Sequence, residues 1–444
     1  MSLPNLRADA EAIFRAGLAA ADPHRLLLER SSIEKDRWSY RDAERAVSWV
    51  LPPAGSGGRV LVVGAGKAAA SLAVAVEDLL GDRIARGRIV VKHGHGLPLK
   101  RIAIEEGGHP LPDRGGLEGT ARLLRDLADT RPDDRVFFLL TGGASALLVA
   151  PAPGLTLEDK IATTRLLLAS GATIQEMNAL RKHLSAVKGG CLAEHIHPAP
   201  AMTLIVSDVV GDDLTSIGSG PTAPDPTTYA DCLQILRRYR LTDQVPTAVR
   251  QRLTAGAEGN IPETPKPGQP VFEGMRWLIL ASNRHSLDAA SKASERLGYR
   301  PEIFAYDMVG DTHDRARAFA SRLVGLTGLG PVALLAGGET TLKVSGQGKG
   351  GRNQEFALVA AREIEGMPNV LVLAAGTDGT DGPTDAAGAF ADATTCARAE
   401  KKGLDPAASL RDNDAYTLFD GLGDLLRTGP TGTNVMDLVV GLAR

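Results

Sequence analysis

The sequence predicts an α/β fold with two domains, and three observations support this class. Short apolar runs rich in β-branched residues alternate with longer segments of helical pattern, the order expected when helices connect parallel strands. The runs are apolar throughout rather than alternating, which is typical of strands buried on both faces. The chain has 444 residues, more than one core of ordinary size accommodates, so we expect two domains with largely parallel sheets.

These two patterns predict the elements along the chain. The apolar runs predict strands at 60–63, 88–91, 135–140, 202–206, 277–280, 302–306, 332–336, 340–344, 369–374 and 437–441. Helical spacing of apolar residues predicts helices at 67–80, 116–128, 157–170, 283–297, 312–324 and 353–364.

Residues 258–270 predict a domain boundary. The segment contains four prolines, which disfavour both a helix and a central strand, so we interpret it as a linker or a long surface loop. Strand and helix patterns resume after it. We therefore expect an N-terminal domain at 1–260, a Rossmann-like α/β/α layer with a mostly parallel sheet, and a C-terminal α/β domain at 270–444.

Composition narrows the functional classes. The formal net charge is −3 and the basic residues are spread along the chain, so neither nucleic acid nor an anionic membrane is an expected partner. The three cysteines are far apart and form no CxxC pair, which favours a reducing compartment. No basic stretch precedes an apolar one at the N-terminus, so we expect a cytoplasmic protein without a signal peptide.

Four glycine-rich turns follow predicted strands. In open α/β sheets, ligands bind beyond the carboxyl ends of the strands, where glycine lets backbone N–H groups approach an anion. One such turn alone is weak evidence, but four together favour a ligand rich in phosphate or carboxylate. They are 64–69, 141–145, 336–340 and 375–382.

The first turn, Gly64-Ala65-Gly66-Lys67-Ala68-Ala69, fits a dinucleotide fingerprint but carries a lysine. That fingerprint needs an acid at the end of the next strand to bind ribose, and Lys92-His93 stands there. The chain also has no Walker A spacing. A cation at a helix N-terminus is unfavourable by some tenths of a kcal/mol, so Lys67 suggests a bound anion; a solvated surface lysine is the alternative.

A second basic turn lies at 345–361, where Lys349 and Arg352 alternate with glycines before an apolar helix. Arginine can bind two phosphate oxygens at once, and Arg352 and Asn353 would open the helix. The turn therefore suggests a phosphate site. A flexible hairpin with solvated charges is the alternative.

Acidic residues end two further strands. Asp208, Asp212 and Asp213 follow one strand, and Asp378 and Asp381 follow another. Carboxylates in such places suit Mg²⁺, which takes one or two carboxylates together with phosphate oxygens and water. Capping of Asx turns is the alternative for each of them.

Taken together, the turns resemble those of a known family. The stretches "VGAGKAA", "LLTGGASALL", "SDVVGDDLTSIGSGPTAPD" and "AGGETTLKVSGQGKGGRNQEFAL" occur in this order. They are similar to the glycerate 2-kinase family, which combines an N-terminal glycerate-kinase domain (DUF4147) with a C-terminal MOFRL domain. The resemblance covers nearly the whole chain.

The resemblance implies phosphoryl transfer from ATP to D-glycerate with a divalent ion, giving 2-phosphoglycerate. It also implies an active site in the cleft between the domains. Lys67 and Arg352 match the lysine and the arginine that the family regards as catalytic. Some members are named hydroxypyruvate reductases, so an NAD(P)H-dependent reductase is the alternative function.

Under this hypothesis Lys67 and Arg352 stabilise the transferred phosphoryl group. The nucleotide phosphates would lie between the turn at 64–69 and the loop at 346–353, and either Asp212 or Asp213 would accept the hydroxyl proton of glycerate. The expected partners are D-glycerate and nucleotide, with a homodimer as a possible assembly. Nucleotide binding is assigned to Gly64, Gly66, Gly350, Gly351 and Asn353. Binding of the substrate carboxylate is assigned to Gly142, Gly143 and Ser145, and binding of a hydroxyl to Glu339. Mg²⁺ binding is assigned to Asp378 and Asp381, with Asp208 as their rival.

Overall fold

A computed structural model describes residues 5–43 and 45–444, and the chain divides into two compact units. The central unit is Pro23–Leu280. The terminal unit combines the described residues up to Asp22 with Ala281–Arg444. Within the described residues, no helix is long and apolar enough to cross a membrane.

The helices and strands are as follows. The helices are α1 (Leu6–Ala20), α2 (Pro23–Arg30), α3 (Ala69–Leu80), α4 (Arg114–Leu127), α5 (Ala144–Leu147), α6 (Leu157–Ser170), α7 (Ile174–His183), α8 (Cys191–Ile196), α9 (Tyr229–Arg238), α10 (Thr247–Ala257), α11 (Asn283–Arg296), α12 (Thr312–Val324), α13 (Arg352–Glu363), α14 (Thr395–Lys401), α15 (Pro406–Asp412) and α16 (Ala415–Leu422). The strands are β1 (Ser31–Glu34), β2 (Arg37–Arg41), β3 (Ala46–Val50), β4 (Val60–Ala65), β5 (Ile84–Lys92), β6 (Ile102–Gly107), β7 (Arg135–Thr141), β8 (Ala201–Val206), β9 (Met275–Ala281), β10 (Arg300–Met308), β11 (Val332–Gly338), β12 (Val370–Gly376), β13 (Gly388–Asp392), β14 (Leu425–Leu426) and β15 (Asp437–Ala443).

The central unit is built on a sheet with the strand order β6-β5-β4-β7-β8-β9. The pairs from β6 through β8 are parallel, as the sequence predicts for the N-terminal domain. Val62 and Phe137 pack into the core on one face, and Val63 and Phe138 into the core on the other. Burial on both faces explains why these strands are apolar throughout, and parallel pairing brings their carboxyl ends to one edge.

The same unit contains a small antiparallel sheet, β1-β2-β3, that the sequence analysis does not predict. Its strands alternate between more and less exposed residues, as in β2, where Trp38 and Tyr40 are buried between exposed neighbours. Such strands have no continuous apolar run. A search for apolar runs therefore passes over them.

The terminal unit contains a mixed sheet with the strand order β10-β11-β15-β12-β13-β14. Only β10 and β11 are parallel among its pairs; β15 lies antiparallel between β11 and β12. The prediction of a largely parallel sheet is therefore wrong for this half of the chain. A strand covered on both faces is apolar whichever way its neighbours run, so the pattern does not determine strand direction.

The strand predicted at 340–344 is also wrong. Thr341 forms one isolated bridge with Asp311, and Val344 is 68% exposed. Thr340 is buried, but the β-branched residues Thr341 and Val344 are exposed and cover no core. The segment instead leads from β11 into the glycine-rich loop.

The boundary between the compact units differs from the predicted boundary. Residues 258–270 form a loop inside the central unit, where the carbonyl of Pro265 accepts from the amide of Asp225 at 2.9 Å. After this loop, β9 joins the parallel sheet. The predicted domains 1–260 and 270–444 must also be corrected near the N-terminus. Helix α1 packs on α11 and β15, so it belongs to the terminal unit.

Candidate functional site

Lys67 lies in the turn between β4 and α3, and this turn is fixed to the end of β7. Three hydrogen bonds occupy its amides: Gly66 N to Val90 O at 3.1 Å, Lys67 N to Gly142 O at 2.8 Å, and Ala68 N to Thr141 Oγ1 at 3.1 Å. The expectation that these amides receive an anion needs correction, since protein acceptors already hold them. The Lys67 side chain is what this turn offers to a ligand.

The two glycines predicted to bind nucleotide have a steric role, while their contact with nucleotide stays a prediction. A Cβ on Gly66 would lie 2.0 Å from Thr141 Oγ1, and the residue adopts a φ of +137°. A Cβ on Gly64 would lie 2.7 Å from Leu139 Cβ in the neighbouring strand. Both glycines therefore let the turn and β4 approach β7 closely, which sets the position of Lys67.

Gly142, Gly143 and Ser145 follow β7 on the same edge of the sheet. Within the described residues, the amides of Gly142 and Gly143 donate to no protein acceptor, so they remain suitable donors for a ligand. A Cβ on Gly143 would lie 3.1 Å from Lys67 Cγ, which places this turn beside the lysine side chain. Ser145 Oγ lies 2.9 Å from Ser219 Oγ.

Arg352, the first residue of α13, is held by two carboxylates of the terminal unit. Its Nε and Nη2 contact the Asp437 carboxylate at 2.6 and 3.0 Å, and its Nη1 lies 2.6 Å from Glu339 Oε1. Burial alone would lower the pKa of Arg352, but Asp437 and Glu339 outweigh burial and raise it. The guanidinium is therefore a fixed cation, and the carboxylate of Glu339, predicted to orient a hydroxyl, is paired with it.

The glycine-rich loop before α13 is bound to the segment between α15 and α16. Asn413 Oδ1 accepts from the amides of Ser345 and Gly346 at 2.8 and 2.9 Å. Asp412 and Asp414 accept the next three amides, those of 347, 348 and 349. Protein acceptors therefore occupy the amides of residues 345–349, and the nucleotide contacts of Gly350 and Gly351 stay predictions.

Asp381 caps α13. Its two carboxylate oxygens accept from the amides of Asn353 and Gln354 at 3.1 and 2.8 Å, and a Cβ on Gly351 would lie 2.3 Å from its Cγ. Burial raises the pKa of Asp381 to about 7, against the lowering effect of the two amides. This arrangement disfavours the predicted metal role of Asp381 and gives Gly351 a steric role.

The other predicted acids differ in their surroundings. Asp213 Oδ2 accepts from Thr215 Oγ1 and Ser216 Oγ at 2.8 and 2.6 Å; burial raises its pKa, but these hydrogen bonds lower it overall. Asp378 Oδ1 accepts from the amide of Thr380 at 3.0 Å. Asp212, partly exposed, adopts a φ of +53°. Asp213 thus stabilises a turn and is a poor proton acceptor.

Several residues around these groups were not predicted from the sequence. Asp437, 3% exposed, opens an otherwise apolar strand, and an acid in that place is a detectable signal. Asn178 and Arg181 lie three positions apart on α7, a helix absent from the prediction. A further contact of Asp437 involves a residue that the sequence analysis does name: Asn353, predicted as a nucleotide ligand, donates from its Nδ2 to Asp437 at 2.9 Å.

Comparisons with known proteins agree with this architecture. The model of a domain of unknown function (DUF4147) matches residues 9–254, and the MOFRL family model matches residues 332–437. A glycerate 2-kinase from Pyrococcus horikoshii is 41% identical over 96% of this chain and 94% of its own. A relative from Agrobacterium vitis, provisionally named a hydroxypyruvate reductase, is 42% identical over 86% of this chain and 98% of its own.

The crystal structure of a glycerate kinase from Thermotoga maritima has the same fold. It superposes with a TM-score of 0.83 at 37% identity, covering 99% of each chain. Fold and family models thus define a two-domain α/β protein of the DUF4147 and MOFRL class. The chain belongs to the glycerate 2-kinase family.

Proposed function

We propose that the protein is an ATP-dependent D-glycerate 2-kinase that produces 2-phosphoglycerate. The observation that carries this proposal is the position of Lys67 beside Gly143, where β4 and β7 end together. Ligands of open α/β sheets bind at this edge. A lysine there, next to glycine amides without protein acceptors, suits an anionic substrate that exchanges a phosphoryl group.

Arg352 is the second cation of the proposed reaction. Phosphoryl transfer needs mainly positioning and charge stabilisation, and a guanidinium fixed by Asp437 and Glu339 is already positioned. We propose that Lys67 and Arg352 each take part in phosphoryl transfer, as the resemblance to the family implies.

Magnesium would be held jointly by the nucleotide and the protein. Among residues 5–43 and 45–444, no three His, Cys, Asp or Glu side chains are grouped to hold a metal ion alone. This fits an ion that takes one or two carboxylates and completes its coordination with phosphate oxygens and water. Asp378 or Asp208 would supply the carboxylate, and the bound ion would offset phosphate charge.

Asp212 is the proposed acceptor of the glycerate hydroxyl proton. Its neighbour Asp213 is committed to hydrogen bonds with Thr215 and Ser216, so Asp212 is the better candidate of the predicted pair. Replacement of Asp212 by Asn should lower kcat with little effect on the KM for ATP. A matching loss in Asp213→Asn without loss of stability would argue against this assignment.

The reductase alternative has weaker support. A nicotinamide site of the dinucleotide type needs an acid at the end of the strand after the glycine turn. That strand, β5, contains no acidic residue and ends at Lys92. The amides of the turn are also bonded to protein acceptors, which leaves no cradle for a pyrophosphate.

The function is tested with two assays on the purified protein. One measures ADP formation from D-glycerate, ATP and Mg²⁺, with the product identified by phosphorus NMR; the other measures NADH oxidation with hydroxypyruvate. ADP and 2-phosphoglycerate should form in the first. NADH oxidation without ADP formation would favour the reductase and exclude the proposal.

Variants of the two cations test their roles. Lys67→Ala and Arg352→Ala should each lower kcat by about 10²–10³, as for the loss of a preorganised donor. The matched controls are Lys100→Ala and Arg362→Ala, both exposed and in the same units, and these should keep full turnover. Near wild-type kcat in either cation variant would remove that residue from the mechanism. The cytoplasmic location and the homodimer stay predictions.

A further inference from the structure

Three basic side chains of the central unit, Lys160, Arg181 and Lys188, lie close enough together to perturb one another's protonation. Lys160 and Lys188 are 8% and 1% exposed, and Arg181 is half-buried. In the part of the chain that the structure describes, no carboxylate lies within ion-pair distance of any of them; the lysine ammonium groups reach only the carbonyls of Leu184 and Gly218. Burial of positive charge without an anion is costly.

The electrostatics of the group agree with this description. Burial lowers the pKa of Lys160 to about 7, and the nearby Arg181 lowers it further. Burial also lowers the pKa of Lys188, together with repulsion from Lys160 and Arg181. By contrast, the neighbouring Lys182 has a buried partner, Asp225, at 3.2 Å. The basic side chains that have no carboxylate partner among the described residues therefore lie on the side of α7 that carries Arg181.

Arg181 and Asn178 keep N–H groups that no described residue accepts, whereas the carbonyl oxygen of Asn178 already accepts two hydrogen bonds. Asn178 Oδ1 accepts from Arg181 Nη1 and from Ser219 Oγ, both at 3.3 Å. The other N–H groups of Arg181 and the Nδ2 group of Asn178 donate to no described residue. Since guanidinium has five N–H donors, most of the hydrogen-bonding capacity of Arg181 remains for an acceptor such as a carboxylate.

Ser219 adds a second, independent sign of a binding site. It adopts a φ of +63° between two glycines that also have positive φ, a conformation that glycine enters without strain and serine does not. Its hydroxyl is fully buried and bonds to Ser145 and Asn178. A serine in this conformation is explained by a need for the hydroxyl, which fixes the orientation of Asn178.

These residues form a continuous path to Lys67. Ser219 contacts Ser145 at 2.9 Å, and Ser145 is two residues from Gly143. A Cβ on Gly143 would lie 3.1 Å from Lys67 Cγ. Hydrogen bonds and a short stretch of chain therefore connect the unspent donors of α7 to the turn beside the proposed phosphoryl-transfer lysine, within the central unit.

We propose that Arg181 and Asn178 bind the carboxylate of D-glycerate, with Ser219 as a positioning residue. The planar fork of a guanidinium matches the two oxygens of a carboxylate. The hydrogen bonds from Asn178 to Ser219 and from Ser219 to Ser145 connect this place to the turn that carries Gly143. The inference rests on the proposed function for the identity of the anion. It moves the main carboxylate contact from Gly142 and Gly143 to α7.

Two measurements test the inference on the full chain. Calorimetric titration with D-glycerate in the absence of ATP should show binding to the wild type and a loss of affinity of about 10²-fold in Arg181→Gln, the effect expected for loss of a charged hydrogen-bond partner. Steady-state kinetics should show a raised KM for glycerate at an unchanged KM for ATP. Arg181→Lys should recover little, because lysine lacks the fork.

Arg165→Gln is the matched control, because Arg165 is exposed on α6 of the same unit; it should bind glycerate like the wild type. Unchanged glycerate affinity in Arg181→Gln, or no glycerate binding by the wild type, would overturn the inference. A rise in the KM for ATP alone would also overturn it, since the anion would then be a nucleotide phosphate. Glycerate binding that depends on Arg181 without any ADP formation would support the inference and refute the proposed kinase.

Discussion

At the scale of single residues, Asp437 determines what Arg352 can do. The buried carboxylate contacts two guanidinium nitrogens and also accepts from Asn353 Nδ2. A buried carboxylate with three such contacts limits the rotamers of the arginine. The position of Arg352 therefore depends on a residue at the start of β15, far away in sequence.

Replacement of Asp437 by Asn tests this dependence. The variant keeps the shape of the side chain but removes the charge, so we expect the free energy of unfolding to fall by about 2 kcal/mol, as for a buried donor left unsatisfied. Turnover should fall as well. Urea denaturation and the ADP assay measure the two effects. Asp420→Asn, at the exposed ion pair with Arg427, should cost less than about 1 kcal/mol. Equal losses in both variants would contradict the assigned role.

Lys160 gives a second residue-scale prediction, for the pH dependence of stability. Its pKa is lowered from 10.5 to about 7 by burial. Below pH 7 the lysine is protonated in both the folded and the unfolded chain. Between about pH 7 and 10 only the unfolded chain holds the proton, so the free energy of unfolding should rise with pH, at up to about 1.4 kcal/mol per unit.

The comparison with Lys160→Met isolates this effect. Methionine has no charge to bury, so the variant should lack the rise that the wild type shows above pH 7. Urea unfolding at pH 6, 7, 8 and 9 measures both profiles, and Lys100→Met, at an exposed site, should follow the wild type. Parallel profiles for the wild type and Lys160→Met would show that Lys160 is not neutral in the folded protein.

At the scale of elements, the glycine-rich loop is ordered by a turn that follows it by more than sixty residues. Asn413, with a φ of +56°, accepts two loop amides and donates to the buried Glu355 at 2.6 Å. Asn413→Gly keeps this backbone conformation and removes the side chain. We expect amide exchange at Ser345 and Gly346 to become about tenfold faster or more, since each loses its acceptor.

Hydrogen-exchange mass spectrometry measures this change. Asn369→Gly is the matched control, because Asn369 is exposed and has a φ of +61° but does not contact the loop. It should leave exchange in the loop unchanged. If the amides of Ser345 and Gly346 stay protected from exchange in Asn413→Gly, the loop is ordered by its own glycines and not by Asn413.

The elements also show what sequence patterns can and cannot predict. The helices at 157–170 and 312–324 have the predicted bounds, because each has a capping residue before a run of helical spacing. The lysine turn and the arginine at a helix start were likewise predicted in place. Strand direction in the terminal unit was not, since β15 is apolar on both faces whichever way it pairs.

Sequence patterns were also insufficient to assign the roles of the glycine-rich loop at 345–349 and of Asp381, for a reason unrelated to strand direction. A glycine-rich loop that binds phosphate and one that packs against another segment have the same composition. The difference lies in the acceptors at 412–414, which no local pattern connects to residues 345–349. Asp381 likewise fits the pattern of a metal ligand in the sequence, but its carboxylate oxygens accept hydrogen bonds from amides of α13. Long-range contacts decide which amides and carboxylates remain for a ligand.

At the scale of the whole molecule, residues 5–22 belong to the same compact unit as Ala281–Arg444. α1 packs on α11 and β15, so the terminal unit is completed by residues from both ends of the sequence. Gly17 lies where α1 packs closely on this unit. A Cβ there would lie 2.7 Å from Leu438 Cδ2 and 2.8 Å from Ser286 Oγ. The helix can approach the sheet only because this position has no side chain.

Gly17→Val should therefore destabilise the terminal unit by about 1–3 kcal/mol, the usual cost of overpacking. Ala19→Val introduces the same β-branched residue at an exposed position of α1 and controls for helix propensity. Hydrogen exchange should become faster in α11 and β15 of Gly17→Val, while β4 and β7 of the central unit keep their protection. Unchanged exchange in α11 and β15 would mean that α1 does not support the terminal unit. Faster exchange in both units alike would mean that the two compact units do not open separately.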